Sequence, residues 1–102
     1  MAPITLEQFK TGWELGLEVA GAGVGAAALV WRNAGLIRSA YEVVMGTATR
    51  REEQVVAEAL RDAGPNADAM ISRIADNMAQ HGHQGAADRV RAIESQVQAA
   101  VV

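Results

Sequence analysis

Residues 12–31, GWELGLEVAGAGVGAAALVW, constrain the fold of this chain more than any other stretch. The stretch holds five glycines, has a tryptophan close to each end, and carries no charged residue after Glu18. A helix that is apolar on every side must be buried by protein or by lipid. We therefore predict one long, Gly/Ala-rich N-terminal helix, of which Val19 to Trp31 is buried all round.

The glycines of this stretch predict close contact with a second helix. Each glycine inside an exposed helix costs about 1 kcal/mol relative to alanine, so a compensating contact is expected. Two Gly-xxx-Gly pairs, at 12 and 16 and at 21 and 25, remove side chains from one ridge and let a neighbouring backbone approach closely. The predicted helix-packing interface consists of Gly12, Gly16, Ala20, Gly21, Gly23, Gly25 and Ala28.

Two environments suit this stretch, a protein interior and a lipid bilayer. The thirteen residues from Val19 to Trp31 reach only about 20 Å as a helix, whereas the hydrocarbon core of a bilayer is about 30 Å thick. From Trp13 to Trp31 the rise is about 27 Å, and tryptophans at both ends are typical of the two membrane interfaces. We predict both tryptophans as anchors and favour a protein assembly, with the membrane as the alternative.

Glu18 is the ionisable residue that we single out as a candidate perturbed carboxylate. It is the last charge before the apolar run, so a raised pKa or a basic partner on a neighbouring helix is one expectation. The alternative, which we favour, is a carboxylate that turns outward to water or to lipid headgroups.

The remaining sequence predicts an all-α fold. Thr5 with Gln8, and Thr49 with Glu52, have the spacing of a capping box, which marks the start of a helix. A short amphipathic helix is expected at 36–45, followed by three short antiparallel helices, the last running from about residue 85 to the end. The first of these three is predicted to bury a stripe formed by Val55, Val56, Ala59 and Leu60 and to end at Gly64 and Pro65.

The chain divides by composition into two predicted parts. Residues 1–46 contain every aromatic residue and hold the long helix and the short amphipathic helix. Residues 47–102 have only aliphatic side chains for a core and are predicted to form a small helical bundle. Gly46 and the residues that follow it are the predicted joint.

No pattern of residues predicts catalysis, a cofactor or a metal site. His81 and His83 lie on either side of a glycine in a polar turn, which is more typical of a solvated loop than of metal ligands. The serines lack a Gly-x-Ser-x-Gly elbow, and no Gly-x-x-x-x-Gly-Lys phosphate loop occurs. We therefore predict a protein that is not an enzyme.

Charge and cysteine content narrow the class of partner. A formal net charge of −3 provides no basic field for phosphates, so nucleic acid is not an expected partner. The absence of cysteine argues against a disulfide-stabilised secreted protein. An intracellular, virion or membrane-associated location agrees with the composition.

Two functions fit these observations. The first is a structural or assembly protein whose Gly-rich helix packs against copies of itself or a larger protein partner in a virion, membrane complex or filament. The second is a soluble, acidic, helical binding module that regulates or inhibits a protein partner. The first is favoured, because a core built from 102 residues is only marginally stable by itself.

Overall fold

The structure is a computed structural model that describes residues 4–20 and 30–101, and its regular elements there are all helical. The predicted all-α fold is thus confirmed for these residues. The helices are α1 (Leu6–Ala20), α2 (Ala34–Met45), α3 (Arg50–Ala63), α4 (Ala67–Gln80), α5 (Gln84–Arg91) and α6 (Ile93–Val101), with a 3-10 turn at Gly64–Asn66.

Both predicted capping boxes are present. At the start of α1, the Thr5 hydroxyl accepts from the Gln8 N–H and the Gln8 side chain accepts from the Thr5 N–H, each at 3.1 Å. At the start of α3, Thr49 and Glu52 exchange the same two bonds at 3.2 and 2.9 Å. These bonds join residues three positions apart, which is why the local sequence was sufficient to predict them.

Glycines end α2 and α3 as the sequence predicts. Gly46 has a φ of 77°, and its N–H donates to the carbonyls of Glu42 and Val43. Gly64 has a φ of 56° and is followed by Pro65. Side chains with a Cβ rarely adopt these positive values, so glycine sets where each helix stops.

The helices α1 and α4 pack against each other and run antiparallel, because Gly12 lies against Met78 while Gly16 lies against Ile74. Each helix buries a stripe of large side chains spaced three or four residues apart. These stripes are Phe9, Trp13 and Leu17 on α1, and Met70, Ile74 and Met78 on α4.

One cluster of buried side chains draws on all of these helices. Helix α1 packs on α4 and α2 packs on α3, so contacts cross the joint at Gly46 in both cases. The stretches 1–46 and 47–102 therefore share a single core.

The last predicted helix is in fact two, α5 and α6, so the expectation of three short helices after residue 47 is wrong. The break falls at Ala92, whose N–H is 3.2 Å from the carbonyl oxygens of both Asp88 and Arg89. It lets α5 pack on α4 while α6 packs on α3. Ala92 keeps a right-handed backbone, and no glycine or proline marks the break in the sequence.

Trp13 and Trp31 stack on each other inside the fold. Their ring centroids are 5.7 Å apart, and the Trp13 indole N–H donates to the Trp31 carbonyl oxygen at 2.7 Å. One straight helix would separate these residues by about 27 Å. The prediction of a single helix with a tryptophan at each end is therefore wrong, and both tryptophans anchor the core. Residues 21–29 lie outside the described residues.

Candidate functional site

Gly12 and Gly16, from the predicted helix-packing interface, face α4 of their own chain. A Cβ added at Gly16 would lie 2.5 Å from Ile74 Cα, and one added at Gly12 would lie 3.1 Å from Met78 Cγ. The Asn77 amide, buried beside them, donates to the Gly12 carbonyl at 2.9 Å. These two glycines thus lie at a close contact between two helices of the same chain.

The other predicted interface residues are placed as follows. Ala20 is the last residue of α1, whereas Gly21, Gly23, Gly25 and Ala28 lie outside the described part of the chain. Glu18 of α1 is exposed. The predicted site residues that the structure brings together are therefore the two tryptophans and the two glycines of α1, and all four belong to the core.

The polar turn with His81 and His83 lies at the end of α4. His81 Nδ1 is 2.8 Å from the Asn77 carbonyl oxygen, and both histidines line a small groove of about 280 Å³ together with Glu7 of α1. Across residues 4–20 and 30–101, no group of three or more histidine, aspartate or glutamate side chains is placed to hold a metal ion.

Helix α3 is the element that leaves most of its surface free for other contacts. Its fully buried residues are Val56, Ala59 and Ala63, which form one narrow stripe. Grooves therefore lie on both sides of α3, one shared with α2 and the other with α6.

The groove between α2 and α3, called here the α2–α3 groove, is largely apolar. Its floor includes Leu36 and Ala59, each 6% exposed, while Val30 and Val55 on its walls are 49% and 36% exposed. The groove has a volume of about 600 Å³ and is lined by Val30, Asn33, Gly35, Leu36, Ser39, Val55, Glu58, Ala59 and Asp62.

Hydrogen bonds at the start of α2 hold the walls of this groove in place. The Trp31 indole N–H donates to the Ala59 carbonyl at 3.3 Å, which ties the chain next to Val30 onto α3. Asn33 then caps α2 by accepting from the N–H groups of Gly35 and Leu36 at 2.9 and 3.3 Å. The groove is thus formed by residues with fixed positions, as ligand and peptide sites usually are.

One face of α3 at this groove carries exposed residues whose charge changes from positive to negative along the helix. Arg51, Val55, Glu58 and Asp62 are all exposed, and their spacing of four, three and four residues puts them on one side of the helix. This set, called here the α3 stripe, is positive at its first residue, apolar next, and negative at its last two. Glu58 and Asp62 also line the groove.

The groove between α3 and α6 has a volume of about 740 Å³ and a mixed lining that includes Arg61, Asp68 and Glu94. A hydrogen bond from the protonated Glu94 carboxyl to Asp68, together with burial and the Asp68 charge, raises the pKa of Glu94. The described residues that line this groove include three carboxylates, Glu58, Asp68 and Glu94, beside the guanidinium of Arg61.

The α3 stripe is not among the predicted site residues, although the sequence contains one signal for it. The apolar stripe predicted for this helix included Val55 and Leu60 beside Val56 and Ala59. The core needs a narrower stripe, because Val55 remains exposed and Leu60 is only partly buried. The predicted apolar face is thus wider than the stripe that the core buries. This difference indicates helix surface that is available for contact with another protein.

Comparison with protein-family models, with curated proteins and with solved structures gives no match to this chain. Within the described ranges, no helix combines the length and the apolar character needed to cross a membrane.

Proposed function

We propose that this protein is a non-enzymatic assembly protein that packs a helix of another protein chain into the α2–α3 groove. The observation that carries the proposal is the exposure of Val30 and Val55 above a buried apolar floor. Covering such surface is favourable by about 25 cal/mol per Å² of apolar area. An apolar groove flanked by helices is a common way to bind a partner helix.

The proposal places the assembly contact on α3 instead of on the glycine-rich stretch. Gly12 and Gly16 are covered by α4, so they have no surface left to offer. By contrast, the residues that α3 buries in the core are Val56, Ala59 and Ala63, with Ala57 and Leu60 partly buried beside them.

Site-specific photo-crosslinking tests this proposal. A photoreactive phenylalanine analogue replaces Val55 in one variant and Leu15 of α1 in a matched control, since these residues are 36% and 37% exposed. In the cells that produce the protein, we expect position 55 to give a defined adduct with a protein chain and position 15 to give none. Equal labelling at both positions, or none at position 55, contradicts the proposal.

A second candidate function is an acidic helical module that regulates or inhibits one protein partner. It is favoured by Glu58 and Asp62, because both charged residues that line the groove are carboxylates. A regulator of this kind gives one adduct with a different, basic chain at position 55. An assembly protein instead gives adducts with its own chain or with several members of a complex.

A further inference from the structure

We infer that the partner in the α2–α3 groove is α3 of a second copy of this chain, packed antiparallel about a two-fold axis. This inference rests on the proposed function and names the occupant of its groove. It is carried by the opposite charges at the two ends of the α3 stripe, Arg51 and Asp62, which face each other when one copy is reversed.

The register of this pairing follows from the residue numbers. Reversing one copy so that Arg51 faces Asp62 of the second copy also brings Val55 opposite Glu58, and the two-fold axis passes between residues 56 and 57. Residues that lie eleven positions apart on a helix are separated by about 16 Å. An Arg–Asp pair lies at each end of the contact, and the Val55 and Glu58 side chains of both copies lie near the axis.

Exposure and shape agree with this pairing. All residues of the α3 stripe are exposed, so no element described in the same chain has to move away. On the α2 wall the groove is lined by Gly35 and by the buried Ser39, whose small size lets a second backbone approach. An isologous contact of this kind closes as a dimer and leaves no open end.

Charge also decides between a second copy and an unrelated acidic helix. An acidic partner would meet Asp62 without compensation, and like charges facing each other across an interface are unfavourable. The second copy places Arg51 opposite Asp62, although the chain as a whole has a net charge of −3.

Charge reversal at the two ends of the stripe tests the pairing. Arg51→Asp creates Asp–Asp pairs at both ends of the dimer, whereas Asp62→Arg creates Arg–Arg pairs. Both variants should fold, because they place a carboxylate near the N-terminus of α3 or a guanidinium near its C-terminus, where the helix dipole favours them. Circular dichroism of each variant verifies this.

The oligomeric state is measured by light scattering and sedimentation over a range of concentrations, on the full chain of 10.7 kDa. We expect wild type to form a dimer, and each single variant to have a dimer dissociation constant roughly tenfold or more higher. An equimolar mixture of the two variants should dimerise as wild type does. Only the mixed dimer pairs opposite charges at both ends. At one end, the aspartate introduced by Arg51→Asp faces the arginine introduced by Asp62→Arg. At the other end, the unaltered Asp62 of one copy faces the unaltered Arg51 of the other.

The matched control reverses the same two charges away from the stripe, in Glu18→Arg and Arg73→Asp, which alter exposed residues of α1 and α4. Each of these variants should dimerise as wild type does. The inference is overturned if wild type is monomeric at all concentrations, or if the mixture of stripe variants stays monomeric. A wild-type dimer that the stripe variants do not weaken also overturns the inference. In that case the crosslink at Val55 still tests the proposed function separately.

Discussion

At Gly16 the backbones of two helices come so close that a single methyl group decides whether they fit. A Cβ there would lie 2.5 Å from Ile74 Cα and 2.9 Å from Ile74 N. Both are backbone atoms, so relief requires α1 and α4 to separate. At Gly12 the nearest atom belongs to the flexible Met78 side chain, at 3.1 Å, which can adjust more easily.

We predict that Gly16→Ala lowers the free energy of unfolding by about 1–2 kcal/mol. Overpacking costs about 1–3 kcal/mol, which outweighs the gain of up to about 1 kcal/mol in helix propensity. The matched control is Gly85→Ala in α5, where nothing lies within 4 Å of the added Cβ, and there a modest stabilisation is expected. Urea unfolding measures both variants, and equal stabilisation of the two would show that α1 and α4 are not in contact at residue 16.

The elements α4 and α6 meet at a pair of acidic side chains, Asp68 and Glu94, near the start of each helix. The hydrogen bond that protonated Glu94 donates to Asp68, burial and the neighbouring Asp68 charge raise the pKa of Glu94. The folded protein therefore holds this proton more tightly than the unfolded chain does. The contribution of Glu94 to stability is present in full below the ordinary glutamate pKa and is lost as pH rises through the raised folded pKa.

We predict that Glu94→Gln raises the free energy of unfolding at pH 7, because it keeps a neutral hydrogen-bonding side chain beside Asp68. The advantage over wild type should disappear as pH falls below the ordinary range of glutamate, where Glu94 itself becomes neutral. Denaturant unfolding at a series of pH values measures the difference. In the Asp68→Asn background the main cause is gone, so a persistent pH-dependent advantage of Glu94→Gln there would contradict this explanation.

Element starts and stops were the part of the fold that could be predicted from sequence. The capping boxes at Thr5 and Thr49, and the stop at Gly64, depend on bonds or backbone angles within a few residues. The break at Ala92 was missed because it depends on α5 and α6 packing on different helices. Likewise, the Gly-xxx-Gly pair at Gly12 predicts a close approach but does not identify the helix that approaches.

For the whole molecule, the structure describes one core to which residues on both sides of Gly46 contribute. The Cα radius of gyration is 12.2 Å, close to the roughly 13 Å expected for a compact domain of about 100 residues. The stacked pair of Trp13 and Trp31 lies in the first half of the chain, yet Trp31 is hydrogen-bonded to Ala59 in the second.

We predict a single cooperative unfolding transition. Both tryptophans of the chain precede Gly46, so their fluorescence reports on the first half, whereas far-ultraviolet circular dichroism reports on every helix. The two signals should give the same midpoint and the same transition free energy in urea, as two-state unfolding requires. Separate midpoints would show that residues 1–46 and 47–102 unfold as independent parts.

The contact between Asn77 and Gly12 joins residues 65 positions apart in the chain, and this separation matters while the protein is being made. A ribosome adds about 5–20 residues per second, so roughly 3–13 seconds pass between the synthesis of Gly12 and that of Asn77. Throughout that time Phe9, Trp13 and Leu17 exist without the helix that covers them. The apolar stripe of the N-terminal helix can therefore be buried against α4 only after most of the chain has been synthesised.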